Sequence, residues 1–272
     1  MASTPLNKRG EMPFLDHLEE LRWRIFWSIL AIGIGSVVGF AVVYYFGVLD
    51  LLIEPVRRAS DDPTLRLQYL SPSDPFFVTL KLGILVGVIL GFPVVVYQIW
   101  AFLSPALEKE EKRAVVPALY LGLVLFVAGV AMGYFAALPV TLEFFQAFQP
   151  GALEAQLEIS RTLAFITKML LAFGVVFELP VVVMILSAMG LVTPQFLREK
   201  RRHAAVVMTV VASLITPGDV ITLTVLMLLP LLLLYELSIF LSAVIYRRRK
   251  DRLEEALAPS EEPPVGSVER GG

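Results

Sequence analysis

FFVTLKLGILVGVILGFPVVVYQIWAFL, residues Phe76 to Leu103, runs for 28 residues with a single charged side chain, Lys81. An α-helix needs about 20 apolar residues to cross the hydrocarbon of a bilayer, so this stretch reads as a membrane span. Working outward, comparable apolar stretches lie at Trp23 to Phe46, Ala114 to Leu138, Leu163 to Gly190, Ala204 to Ile215 and Ile221 to Tyr246, cut by short charged connectors. Lipid offers the backbone no hydrogen bonds, so spans of this kind are helical. The expected fold is all-α and polytopic. Residues 1–22 form an N-terminal amphipathic segment, 23–246 a domain of six transmembrane helices, and 247–272 a disordered tail.

Composition agrees: 57% of the 272 residues are hydrophobic and 18% charged, with a mean hydropathy of +0.74. A soluble core of this size cannot hide so much apolar surface. The net charge of −2 argues against nucleic acid as a partner. With no cysteine, disulfides, thiolate catalysis and Cys-ligated metals are excluded. Only two histidines, His17 and His203, are present, and no nucleotide loop, metal spacing or nucleophile triad appears, so no cofactor, metal or catalytic role is expected. The N-terminus shows neither a cleavable signal nor a transit segment, so the first span is expected to be retained.

Seventeen of the 23 lysines and arginines fall on one side of this map, at the N-terminus, around Lys109 to Arg113, around Arg198 to Arg202 and beyond Arg247. Positive flanks stay in the cytoplasm, so both termini are expected there. The fifth span would reach only about 18 Å at 1.5 Å per residue. It is followed by a tight turn at Thr216-Pro217-Gly218-Asp219. Either this hairpin stops short of the far surface or the bilayer thins around it. From Asp251 onward, Pro259, Pro263, Pro264 and several Glu without apolar periodicity read as disorder.

An internal echo appears at an offset of 87 residues: Lys81, Gly87 and Pro93 to Val96 line up with Lys168, Gly174 and Pro180 to Val183. A duplicated helix pair or a chance match of Pro-kinked helices both fit. Where the echo breaks, Gly91 is replaced by Glu178. A carboxylate inside a span faces a wet cavity or a polar partner, or it takes up a proton, because desolvation disfavours the ionised form. The plainer expectation is that Glu178 bonds to carbonyls freed by Pro180, and the functional one is favoured. Glu236 is expected to snorkel or to pair with the basic end at Arg247, Lys81 and Lys168 to snorkel outward, and Gln98 to join helices.

At the N-terminus, Pro13 suits a first helical turn, and Phe14, Leu18, Leu21 and Ile25 make one apolar stripe. This predicts an amphipathic helix along the cytoplasmic surface, with Asp16, Glu19, Glu20 and Arg24 on its wet face. Glu20 and Arg24 at i, i+4 also suit an ordinary solvated ion pair. A second acidic group, Glu108, Glu110 and Glu111, follows the second span on the same membrane face, where Ser104 and Pro105 can start the next helix. Carboxylates at two separated places suit a ligand with neighbouring guanidinium groups, because each Arg makes two-bonded, charge-assisted contacts.

Taken in order, five motifs resemble a known family: Phe14-Leu15-Asp16-His17-Leu18-Glu19-Glu20-Leu21-Arg22, Ser73-Asp74-Pro75-Phe76-Phe77, Tyr97 to Leu107, Phe173 to Pro180, and Leu214 to Val220. The resemblance is to the C-type subunit (TatC) family of the twin-arginine protein translocase, over about Met12 to Arg249. It implies a concave six-helix bundle with short fifth and sixth helices, in the plasma membrane of a prokaryote. The implied role is to receive signal peptides bearing two consecutive arginines, in a machine that exports folded proteins using the protonmotive force. By motif position, Glu20 and Glu111 resemble the carboxylates that receive the arginines, with Phe102, Lys109, Pro55 and Pro93 shaping the site. Glu178 resembles a membrane carboxylate that engages a partner helix, with Thr222 and Gln98 as further polar residues, and Asp219 and Pro180 have structural roles. The implied partners are A-type and B-type single-span subunits, further copies of this chain, and lipid. The sequence departs from some relatives at Pro217-Gly218 in the outer turn and at Leu223 in the last helix. A proton-coupled transporter of a small solute is the alternative that Glu178 and the echo also suit.

Overall fold

The computed structural model describes residues 14–60, 67–106, 109–147, 157–215 and 221–257. Ten helices make up nearly all of this: α1 (Phe14–Tyr45), α2 (Val48–Ala59), α3 (Asp74–Leu103), α4 (Lys109–Met132), α5 (Leu138–Ala147), α6 (Ile159–Val176), α7 (Leu179–Ala188), α8 (Pro194–Glu199), α9 (Arg201–Ile215) and α10 (Ile221–Leu257). Among the described residues there is no strand beyond one isolated bridge, Gln68 to Glu158.

Among the described residues, five stretches are long and apolar enough to cross a membrane: Asp16–Tyr45, Asp74–Leu103, Val115–Phe145, Ile159–Ala188 and Met227–Arg247. The third runs past the expected Leu138, because a π-helical turn at Gly133–Ala137 carries α4 into α5 without a break. The remaining membrane helix is α9, whose 15 residues reach only about 22 Å, well short of the roughly 30 Å of hydrocarbon. The apolar part of the last helix is 21 residues against 30 or 31 in the other four.

Both ends of the sequence map need correction. No turn separates residues 14–22 from the first span: α1 is one 32-residue helix, so the N-terminal segment prolongs the span instead of lying across it. At the other end α10 continues through Leu257, so the first residues of the expected disordered tail are helical. The rest of that tail, Pro13, Asp219 and the turn around it lie outside the described residues.

Helices α1 and α3 are antiparallel and pack very closely. Gly35 and Gly39 face Gly87 and Gly83, and Ile32 faces Gly91, so each step of about a turn along α1 is matched by a step back along α3. A Cβ added at Gly35 would lie 2.7 Å from the Gly87 carbonyl oxygen, and one at Gly83 would lie 2.9 Å from the Phe40 Cα. Small residues every fourth position let two backbones meet, which in lipid is where helix association finds its van der Waals contact.

From α3 the layer continues through α4 and α6 to α7 and then to α10, against which α8 and α9 pack. Phe92 of α3 stacks on Phe126 of α4 at 3.7 Å between ring centres. Ser187 of α7 and Ser242 of α10 share a buried 2.7 Å hydrogen bond. Tyr235 of α10 donates to the Leu197 carbonyl of α8 at 2.8 Å. Glu236 pairs at 2.8 Å with Arg201 at the start of α9, not with Arg247 as expected, because the α9–α10 hairpin brings that basic end alongside.

At the end of α1 remote from Glu20, Gly47 adopts φ 68°, a left-handed conformation that costs glycine little, and the chain turns into α2. This short helix buries Leu52, Ile53, Pro55 and Val56 and packs on α5. Tyr134 donates to the Leu51 carbonyl at 2.6 Å. Gln68 exchanges backbone hydrogen bonds with Leu157 and Ile159 at 2.9 and 2.8 Å, which ties the connectors on this side together.

Candidate functional sites

At the opposite end, the glycine crossing brings the first turns of α1 against the last turns of α3. Nη2 of Arg24 lies 2.9 Å from Oε1 of Glu20, and Nη1 of the same guanidinium donates to Oε1 of Gln98 at 3.2 Å. One turn further out, the His17 ring stacks on Phe102 at 4.4 Å and 16°. The second oxygen of Glu20, Oε2, is buried and has no hydrogen-bond partner among the described residues. A buried carboxylate oxygen without a donor is costly, so this atom is an unsatisfied acceptor at the junction of α1 and α3.

The expected wet face has turned inward here. Asp16 and Glu19 are exposed, but the Glu20 and Arg24 side chains keep only 19% and 30% of their surface. Leu18 and Ile25 of the apolar stripe point outward. In lipid the apolar face needs no protein cover and the polar groups do, which reverses the rule for a soluble amphipathic helix.

Of the other candidates, Glu111 and Lys109 belong to the first turn of α4, close in sequence after α3 ends, and their side chains lie outside those described. Gln98 joins helices as expected, through Arg24. Pro93 stays inside α3 without breaking it and is exposed toward the middle of the span. Pro55 does not belong with this group. It is buried in α2, beyond the far end of α1, a helix about 48 Å long at 1.5 Å per residue. Sequence reasoning missed the ring of His17, weighed only as a metal ligand, and the contact of Arg24 with Gln98, residues 74 apart. The stacking partner Phe102 was the available signal.

The second candidate lies within the fourth span. Pro180 cannot donate to the carbonyl one turn back, and the helix breaks there: α6 ends at Val176, α7 starts at Leu179, and Glu178 occupies the join. Its N–H bonds to the Val175 carbonyl at 3.1 Å, and its own carbonyl accepts from Val181 and Val182, each at 3.0 Å. The side chain reaches α4. A Cβ added at Gly122 would lie 2.9 Å from Oε2 of Glu178, and Oε1 is buried without a partner. The carboxyl group thus occupies room that a glycine leaves on the facing helix, and among the described residues it makes no bond to a carbonyl freed by Pro180. The side chain of Thr222 lies outside those described, as does all of Asp219.

Residues 16–230 match the family model for Sec-independent protein translocase protein (TatC). The chain belongs to the TatC family. A TatC relative from Aquifex aeolicus is 40% identical over 242 residues, covering 88% of this chain and 98% of the relative. The Escherichia coli relative is 35% identical, covering 89% and 92%. Two crystal structures of the twin-arginine translocase receptor TatC, one of them in DDM, superpose with TM-scores of 0.73 and 0.74. Each is 38% identical, and they cover 84% and 83% of this chain and 99% of theirs. The all-α membrane fold and the resemblance seen in the motifs are thereby established. As a TatC-family member, the chain is a multi-pass protein of a prokaryotic membrane and a component of Sec-independent protein translocation.

Proposed function

We propose that this chain is the receptor for twin-arginine signal peptides and the core on which the translocase assembles. One observation supports it most directly: Oε2 of Glu20 is a buried acceptor with no donor among the described residues, set where α1 and α3 meet and flanked by the stacked pair His17 and Phe102. An arginine of the incoming doublet supplies the missing donor, and Glu111 on the first turn of α4 supplies an acceptor for its neighbour. Both termini face the cytoplasm, which puts this end of α1 where precursors arrive. Folded cargo then crosses at the expense of the protonmotive force.

Glu178 serves a separate step. Partly walled by α4 and lacking a hydrogen-bond partner on Oε1 among the described residues, it recruits polar groups of the single-span A-type and B-type subunits and so sets where they dock. The chemistry is binding throughout, with no bond made or broken by the chain.

A photo-reactive residue placed beside the doublet of a signal peptide tests the assignment. The expected map in native membrane vesicles has adducts on the first turns of α1, the last turns of α3 and the start of α4, and loses them when the doublet is changed to two alanines. Adducts that persist with the alanine peptide, or that fall on the α2 side, would overturn it.

A further inference from the structure

The acceptor that the receptor reading gives to an incoming arginine is already half occupied by an arginine of the chain itself. Nη2 of Arg24 holds Oε1 of Glu20 at 2.9 Å, and Oε2 is buried beside it without a donor among the described residues. A guanidinium binds a carboxylate best when two parallel N–H groups meet both oxygens. That geometry is closed while Arg24 stays. The same side chain has a second place to go, since Nη1 already reaches Oε1 of Gln98 on α3 at 3.2 Å.

We propose that Arg24 is a placeholder that sets the strength of capture: it occupies the Glu20 carboxylate in the empty receptor, yields it to an incoming guanidinium, and is then held by Gln98. The inference rests on the receptor reading. Its logic is competitive. A guanidinium offers two bonds for the one that Arg24 gives up, and it displaces Arg24. A lysine ammonium is a point charge that brings no fork, so it gains only the contact at Oε2 and leaves Arg24 in place. The cost of moving Arg24 therefore falls on the arginine doublet, and Arg24 moderates capture of the very ligand that displaces it. Its position favours this role: it lies one helical turn from Glu20, as an i, i+4 pair, and retains enough exposure to swing. Gln98 is neutral, so parking there costs Arg24 its counter-ion but not its hydrogen bond.

The two partners of Arg24 give variants of opposite sign. Capture of twin-Arg and twin-Lys signal peptides is measured by cross-linking yield against the full chain in membrane vesicles. Arg24→Leu is expected to raise capture of the twin-Arg peptide by about twofold to fivefold, the size of one partly shielded charge pair, and by more than it raises capture of the twin-Lys peptide. Gln98→Leu removes the parking place and is expected to lower twin-Arg capture by about threefold, and with it the ratio of twin-Arg to twin-Lys capture, because a lysine leaves Arg24 in place. Should Arg24→Leu reduce capture of both peptides alike at normal membrane level, Arg24 props Glu20 up and the proposal fails. Unchanged capture in Gln98→Leu also overturns it, and this variant decides the matter if Arg24→Leu does not insert. Glu20→Gln separates the two levels. If it captures as wild type does, the receptor reading itself is wrong. If it loses capture while Arg24→Leu keeps wild-type capture of the twin-Arg peptide, only the placeholder role falls.

Discussion

Glu20→Gln combined with Glu111→Gln abolishes capture of twin-arginine signal peptides while the protein still inserts in the membrane at its normal level. Each substitution keeps the size and polarity of the side chain and removes its charge, so packing between α1 and α3 is undisturbed. Removing one member of a shielded, hydrogen-bonded charge pair costs on the order of 2 kcal/mol or more, so the two together lower affinity by about a thousandfold. Glu20→Gln alone is the more informative single variant, because its side chain is described and its Oε2 has no donor among the described residues. It is expected to lose about thirtyfold in capture. Arg24 remains bonded to Gln98 in that variant and keeps access to water, so the helix end does not collapse. Cross-linking yield from a labelled peptide, normalised to the amount of inserted chain, is the readout. A double variant that cross-links like wild type would move the binding site elsewhere on the molecule.

How much of this arrangement was legible in the sequence depends on what the solvent demands. The spans were readable because hydrocarbon forces uninterrupted apolar helices, and α3 begins and ends within two residues of the expected Phe76 and Leu103. The join at Glu178 was readable too, since a proline follows two residues after a carboxylate in an otherwise apolar run. Helix α2 was not: its 12 residues fall in a charged connector between apolar stretches, although Leu52, Ile53 and Val56 form the apolar side that packs on α5. The inward turn of Glu20 and Arg24 was also hidden, because the rule that apolar faces seek protein holds in water and fails in lipid. Contacts between distant residues, such as Arg24 with Gln98, leave no local pattern. The echo between the second and fourth spans also looks different in three dimensions. The two stretches are each 30 residues long, yet Pro93 leaves α3 continuous and Pro180 divides α6 from α7, and they pack on different neighbours.

Gly87→Val is expected to lower the thermal midpoint of the purified chain in detergent by about 5–10 °C, from an overpacking cost of roughly 1–3 kcal/mol. At this position the two backbones leave no room for a side chain: an added Cβ would fall on the backbone and Oγ of Ser36. Ser36 cannot swing clear, since the clash includes its own backbone and its hydroxyl is bonded to the Ile32 carbonyl at 2.7 Å. Helices α1 and α3 must therefore separate. The separation reaches the signal-peptide end, because Arg24 with Gln98 and His17 with Phe102 belong to the same run of facing pairs. Capture of the twin-arginine peptide should fall severalfold although no charge has changed. Gly33→Val is the matched control on α1, where an added Cβ meets nothing within 4 Å, and it is expected to leave both stability and capture near wild type. If Gly87→Val instead melts and binds as wild type does, the glycine contact does not position the receptor end. The alignment of Glu20, Gln98 and Phe102 would then have to come from α4 and the turn at Ser104–Ala106.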